Sequence, residues 1–322
     1  MKQKASVLLE PVRDMGLPLE YILSRIRARR AALISDWEPL LLGTSFFEGP
    51  PAGQRSPHTS GEAAWEYLVN EYRWIYSQMN AGLRSLFELF FLYTELRTIF
   101  IRLRQIKAGR SDGAEWLLSK SLLSQGIKSV LRNARNIQDA AEKIERSFST
   151  MADLFAGLSQ AVIQGGLKGF EQRLANTYLE YASAAAPHPV IKDFFERIIN
   201  ARNIISLYKC IRMNKASMPV FISGGAIPET VFQEILDMND MSRLISIVKE
   251  EAGIDASGSG SDLETIMYRG ITKRLRKAGK DPIGFGVILD YLWRCSIEVM
   301  NLGVIFYGKG LERDVIAAEI VQ

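Results

Sequence analysis

Apolar residues recur every three or four positions through most of this 322-residue chain, a spacing that places them along one face of an α-helix. Stretches that alternate apolar and polar residues, as half-buried strands do, are nearly absent. Glycine- and proline-rich breaks, for example at residues 49–51, 109–113 and 187–189, separate the periodic segments. The sequence therefore predicts an all-α fold. The predicted helices cover residues 19–42, 62–107, 115–158, 167–185, 190–213, 229–252, 263–278 and 287–307.

Composition narrows the class of protein. The chain is 47% hydrophobic and 24% charged, as ordinary globular proteins are, and its net charge of +4 is mild for a nucleic-acid binder. Cys210 and Cys295 form no C-x-x-C motif, which favours a reducing compartment and argues against a structural zinc site. The most apolar stretch, residues 86–100, includes three charged residues, and the N-terminal residues lack the apolar run of a secretory signal. We predict a soluble chain without a membrane-spanning helix.

Three of the predicted helices share one pattern of residue types. Residues 95–100, 203–208 and 301–306 each begin with a polar residue and an aliphatic one, and each end with an aliphatic and an aromatic residue. Upstream, each copy has an apolar–glutamate pair, at residues 65–66, 170–171 and 263–264. Downstream, residues 122–127 parallel residues 221–226 in the first two copies. Landmarks that recur in the same order indicate an internal repeat.

The repeat predicts three similar helical units, covering residues 1–112, 113–216 and 217–322. Leu96, Ile204 and Leu302 are expected at equivalent buried positions, because they occupy the same place in the three patterns. The third copy lacks its final helices, whereas the helix predicted at residues 19–42 has no repeat before it. We hypothesise that this N-terminal helix closes the third copy, which would give a pseudo-threefold funnel or ring.

Catalytic motifs are missing from the sequence. There is no G-x-x-x-x-G-K-[ST] phosphate loop, and the two histidines, His58 and His188, stand beside prolines in predicted loops. Acidic residues are plentiful, but most lie on helix faces opposite the apolar stripes, where solvated charge is the usual role. We therefore predict a non-enzymatic protein with no catalytic residue, no cofactor and no metal site.

Five basic residues are candidates for binding a partner. Arg27 and Arg30 belong to a run of four arginines that could bind phosphate or an acidic partner, or could be the wet face of a helix. Arg104 and Arg212 occupy the same repeat position, and Lys309 falls one residue short of it. These three could form a basic ring that meets an acidic partner, or could complement helix dipoles at C-termini.

Three segments have a recognisable pattern: residues 21–28 (YILSRIRA), residues 194–225 with their closing Gly-Gly, and residues 298–311 (EVMNLGVIFYGKGL). Together they resemble the C (or d) subunit of V-type and archaeal-type rotary ATPases. The last is similar to the family's closing Glu-x-x-Asn-Leu element, although Gly303 stands where the family usually has arginine. Tyr21 also comes about twenty residues later than the family pattern has it.

The resemblance implies a funnel of three helical domains in the central stalk of a V-type ATPase or ATP synthase. Such a subunit lies on the cytoplasmic side as a peripheral part of a membrane-bound complex. It joins the central-shaft subunits of the rotary motor to the proteolipid ring, and it couples ATP turnover to ion or proton transport without bond chemistry. No nucleic acid is expected. The alternative is a helical-repeat scaffold that binds RNA or protein, which co-purification would distinguish.

Overall fold

The computed structural model describes residues 5–42, 60–110, 113–213, 219–253 and 262–322. Within these ranges the regular elements are helices, and β-pairing is limited to two isolated bridges. The all-α prediction is therefore confirmed for the described residues. His58, the glycine–serine run at 257–261 and the two predicted unit boundaries near 112 and 217 lie outside them.

The described residues form fourteen α-helices and two short 3₁₀ helices, Ala5–Leu8 and Asp153–Phe155. The α-helices are α1 Leu19–Arg30, α2 Glu38–Leu41, α3 Gly61–Gln78, α4 Ala81–Lys107, α5 Ala114–Lys120, α6 Gln125–Asn133, α7 Ile137–Ser149, α8 Gln160–Ala185, α9 Pro189–Met213, α10 Glu229–Met238, α11 Met241–Ala252, α12 Leu263–Ala278, α13 Gly286–Tyr307 and α14 Arg313–Glu319. None of these helices has the length and apolar character needed to cross a membrane.

Several helices predicted as continuous are divided, and the prediction was wrong at those points. Asn80 separates α3 from α4, Asn136 separates α6 from α7, and Asp240 separates α10 from α11. Each of these side chains accepts a hydrogen bond from the backbone N–H three residues later. A side chain that caps the next helix satisfies a backbone donor that would otherwise be left unpaired, so a new helix begins there.

The chain forms two compact units. Unit 1 comprises Met1–Leu17 and Arg73–Phe195, and unit 2 comprises Pro18–Tyr72 and Glu196–Gln322. This division reflects how tightly the segments pack and does not address internal similarity. The three predicted repeat units therefore stay a prediction.

The core of unit 1 is built around α4, which packs against α5, α6, α7 and α8. Phe87, Phe90 and Phe91 of this helix are buried, and the Phe90 ring lies 5.5 Å from that of Phe194. Tyr178 of α8 is also buried, and its hydroxyl donates to the Leu89 carbonyl at 2.7 Å. Apolar residues surround much of α4 because the helix has packed neighbours on several sides.

The core of unit 2 is built around α13, which packs against α1, α12 and α14. Trp293 is buried there, and its indole N–H donates to Thr272 Oγ1 of α12 at 2.9 Å. Helices α11 and α12 approach closely at Gly270, where an added Cβ would lie 2.5 Å from the Ala252 Cα. The lack of a side chain at Gly270 is what permits this approach.

Candidate partner-binding surface

Arg104 lies in the last turn of α4 and forms an ion pair within unit 1. Its Nε and Nη2 donate to the two carboxylate oxygens of Glu171 at 2.9 and 2.7 Å. The arginine side chain is 64% exposed, so water screens the pair. Arg104 therefore has an internal partner and is at the same time accessible from solvent.

Arg212 and Lys309 share a different environment, and both are exposed. The Arg212 guanidinium lies 5.7 Å from the centre of the Tyr208 ring, and its Nη1 donates to the Tyr208 hydroxyl at 2.9 Å. Lys309 Nζ lies 5.9 Å from the centre of the Phe306 ring. Each cation thus rests on an aromatic residue that ends one copy of the repeated pattern. A common ring of Arg104, Arg212 and Lys309 stays a prediction.

Arg27 and Arg30 of α1 hold this helix against the turn between α12 and α13. Arg27 donates to the carbonyl of Pro282, and Arg30 Nη1 donates to that of Gly279 at 3.1 Å. Arg30 Nη2 also lies 2.9 Å from the carboxylate of Asp290, which is fully buried in α13. The basic run of α1 therefore contacts its own unit, and its members are not simply a solvated helix face.

Two buried carboxylates depend on these arginines for charge compensation. Burial raises the pKa of Asp290, and the nearby charges of Arg30, Arg294 and Arg276 oppose that rise. Burial also raises the pKa of Glu71, which is opposed by the Tyr291 hydroxyl at 2.9 Å and by Arg29 at 2.6 Å. The α1 arginines thus have a structural role in unit 2 that their sequence pattern did not indicate.

The polar residue that opens each repeated pattern binds a downstream backbone segment. Asn203 Oδ1 accepts from the Ile222 N–H at 2.8 Å, and its Nδ2 donates to the Ile222 carbonyl at 2.9 Å. Asn301 makes the same two bonds with Val321, at 2.9 and 2.8 Å. Both asparagines are buried. We call each such arrangement a polar clasp.

Glu95 forms the corresponding clasp in the first pattern. Its Oε1 accepts from the Leu122 N–H and its Oε2 from the Ser121 hydroxyl, both at 2.6 Å. Burial raises the pKa of Glu95, and these two hydrogen bonds oppose the rise. The predicted parallel pairs Leu122 with Phe221, but Glu95 binds Leu122 whereas Asn203 binds Ile222. The first clasp is therefore shifted by one residue from the predicted parallel.

The aliphatic residues that follow the clasps are also buried. Leu96, Ile204 and Leu302 are at most 3% exposed, as the repeat requires. Sequence patterns identified the polar and aliphatic positions but missed the clasps, because the bound residues lie 19 to 27 positions downstream. A polar residue repeated inside an apolar stripe was the signal that could have revealed them.

Two groups with possible chemistry have structural surroundings. His188 Nδ1 accepts from the Val190 N–H at 3.2 Å, near the start of α9. Cys210 and Cys295 are both buried, and burial raises the pKa of the Cys295 thiol well above its usual value. Among the described residues, no group of three or more His, Cys, Asp or Glu side chains is placed to hold a metal ion.

Comparison with known proteins identifies the family. The model of the ATP synthase (C/AC39) subunit family matches residues 45–319. The chain belongs to this family. Two V-type ATP synthase C subunits, from two strains of Thermus thermophilus, are each 24% identical to it over 328 residues. Each match covers 94% of this chain and 98% of the relative.

The predicted resemblance is thus confirmed at the level of the family. Most of the residues singled out above, including Arg104, Arg212 and Lys309, lie inside the range matched by the C/AC39 family model. Arg27 and Arg30 lie before it, and Val321 of the third clasp lies just beyond it.

Proposed function

We propose that this C/AC39 family member is a non-catalytic coupling subunit in the central stalk of a V/A-type rotary ATPase or ATP synthase. In this role it links the rotor shaft to the membrane proteolipid ring and couples ion transport to ATP hydrolysis or synthesis. The observation that carries the proposal is the similarity, over nearly the full length of both chains, to the two V-type ATP synthase C subunits.

The packing of the long helices supports a mechanical role. Helices α4, α9 and α13 contain 27, 25 and 22 residues. Close-packed interiors resist deformation, so a torque applied at one end of such a helix is transmitted along it. The polar clasps support this role because each fixes a non-helical segment to one of these long helices through two hydrogen bonds.

The proposal includes the three-unit funnel and the peripheral position on the cytoplasmic side, reached through the ring. The three clasps at equivalent pattern positions support a repeat, and the packing of α1 on α13 supports closure of the third copy by the N-terminal helix. It also includes a partner-binding contribution from the candidates Arg27, Arg30, Arg104, Arg212 and Lys309. Superposition of the segments around Leu96, Ile204 and Leu302 tests the repeat.

Affinity purification from native membranes tests the function directly. A tagged chain is expected to co-purify with ATPase head, shaft and ring subunits, identified by mass spectrometry, while an untagged strain is the control. Deletion of the gene is expected to leave ATP hydrolysis by the head uncoupled from ion transport in membrane vesicles. Recovery of RNA or unrelated proteins in place of ATPase subunits would favour the scaffold alternative.

A further inference from the structure

Six basic residues surround the turn that joins α12 to α13 in unit 2. Arg27 and Arg30 of α1 donate to carbonyls of this turn, and Lys277 and Lys280 flank Gly279 in the sequence. Arg276 and Arg294 are close enough for their charges to act on Asp290, the ion-pair partner of Arg30. We call this set the cationic face; its members are Arg27, Arg30, Arg276, Lys277, Lys280 and Arg294.

The cationic face has a local excess of positive charge. It contains six of the 40 Lys and Arg residues, while only two of the 36 Asp and Glu residues, Asp281 and Asp290, belong to the same turn and the start of α13. The remaining residues therefore include 34 of each sign. A local excess of positive charge of this kind attracts anionic groups to this part of the surface.

The cations of this face repel one another within the isolated chain. Burial lowers the pKa of Arg294 most, the charge of Asp290 raises it, and the charges of Arg276 and Arg30 lower it further. Asp290 is fully buried, and its charge is shared among Arg30, Arg294 and Arg276. Arg27, Arg276, Lys277 and Lys280 are exposed, so their charge is available to a partner.

The geometry of the face favours a protein partner with carboxylate groups. The exposed guanidinium of Arg27 is held by the Pro282 carbonyl, and its remaining N–H donors can meet the oxygens of a carboxylate. Ile283 in the same turn is 74% exposed, and its backbone N–H donates to Asp281 Oδ1 at 3.2 Å. An apolar anchor with charged residues around it is the usual arrangement of a protein–protein interface.

We propose that the cationic face, together with the exposed Ile283, docks an acidic segment of a neighbouring subunit in the same ATPase complex. The identity of the neighbour rests on the proposed function. Charge complementarity of this kind speeds association and sets orientation more than it raises affinity.

Lys277→Glu/Lys280→Glu is the test variant, and Lys168→Glu/Arg173→Glu on α8 is the matched control. All four residues are exposed, and both variants change the net charge equally. Association rates are measured with purified shaft subunits and, separately, with the detergent-solubilised proteolipid ring, at low and high salt. We expect the test variant to associate with one of them roughly tenfold more slowly at low salt, with a smaller difference at high salt. The control should stay within about twofold of the unaltered chain.

Because acidic residues near a helix C-terminus disturb the helix dipole, Lys277→Gln/Lys280→Gln provides a second variant, and circular dichroism confirms folding. Equal binding by the test variant and the unaltered chain would overturn the docking proposal alone. An equal slowing of association by the α8 control would also overturn it. Phosphatidylglycerol vesicles and an RNA oligonucleotide are tested as alternative partners, and slower association with these alone would overturn it as well. If the unaltered chain binds neither shaft nor ring, the proposed function fails, and the docking partner fails with it.

Discussion

At the scale of single residues, the polar clasps show why a few polar side chains are buried in an apolar core. Segments that leave the helical path have backbone N–H and C=O groups that helices would otherwise satisfy. Asn203 and Asn301 supply both a donor and an acceptor, and therefore satisfy both groups of Ile222 and Val321. An aliphatic residue would fit the surrounding stripe but would leave two buried polar groups without partners.

Replacement of a clasp asparagine is expected to destabilise unit 2 strongly. Asn203→Leu leaves the N–H and C=O of Ile222 unpaired, which costs about 2–4 kcal/mol in the free energy of unfolding. Asn133→Leu, at an exposed position of α6, is the control and should change it by less than about 0.5 kcal/mol. Urea unfolding measures both. Equal small effects would show that the Asn203 clasp contributes little.

Glu298 predicts a pH dependence of stability. Burial raises the pKa of Glu298 to about 7, although a hydrogen bond donated by the Ile34 N–H opposes the rise. The unfolded chain releases this proton near pH 4.5, so between about pH 4.5 and 7 the folded state binds more protons. The free energy of unfolding should therefore fall as pH rises through that window, by up to about 3 kcal/mol.

Glu298→Gln should remove most of this dependence. The amide keeps an acceptor for Ile34 but cannot ionise, so the variant should be more stable than the unaltered chain at pH 8 and similar to it at pH 4.5. Glu250→Gln, at an exposed position of α11, should leave the slope unchanged. Unfolding curves at four pH values from 5 to 8 decide the matter. Parallel pH profiles for all three proteins would mean that Glu298 is ionised when folded.

At the scale of helices, two glycines differ in how closely a neighbouring helix approaches them. Gly270 lies where α12 meets α11, and a Cβ there would lie 2.5 Å from the Ala252 Cα and 3.1 Å from its carbonyl oxygen. Gly303 lies in α13, and a Cβ added there would meet no atom within 4 Å apart from its chain neighbours and the backbone of its own helix. Both are helical residues, so the same substitution should have opposite effects at the two sites.

Gly270→Ala should lower the free energy of unfolding by about 1–3 kcal/mol, because the backbones of α11 and α12 must separate. Gly303→Ala should raise it by about 0.5–1 kcal/mol, because alanine favours the helix and meets no obstacle. The two variants serve as controls for each other in urea unfolding. Stabilisation by both would show that α11 and α12 separate easily at this contact.

At the scale of the whole molecule, the chain has helices and clasps that suit a mechanical element. The chain belongs to a family of ATP synthase subunits. The proposed role depends on binding other subunits and requires no catalytic residue. The exposed cations are the residues that we expect to contact these partners.

Reversal of Arg104, Arg212 and Lys309 to glutamate should slow association with shaft or ring subunits about tenfold at low salt while the chain stays folded. Glu171→Gln removes the partner of Arg104 but keeps the cation, so it should assemble normally. Association kinetics and melting temperature are measured together. Normal assembly of the triple variant with only a few degrees lost in Tm would show that these cations act within the chain and do not bind a partner.

The isolated chain should neither bind nor hydrolyse ATP, because its sequence contains no phosphate loop. Isothermal titration calorimetry with purified protein is the measurement, and a known nucleotide-binding protein is the positive control. Stoichiometric heat of binding would contradict the non-catalytic role.

The sequence by itself determined the all-α class, the positions of most helices and the family. The fold class and the helices follow from local periodicity and residue type, which neighbouring residues in the chain encode. The family was indicated by the resemblance of three segments, residues 21–28, 194–225 and 298–311. Capping residues such as Asn80 and Asp240 were visible in the sequence, but whether each one divides a helix depends on packing around it. Only the tertiary structure determined which backbone groups Asn203 and Asn301 bind. It also determined that Arg27 contacts Pro282, which is 255 residues away in the chain. Such partners are set by how helices pack, and no local pattern specifies which distant backbone group a side chain will meet.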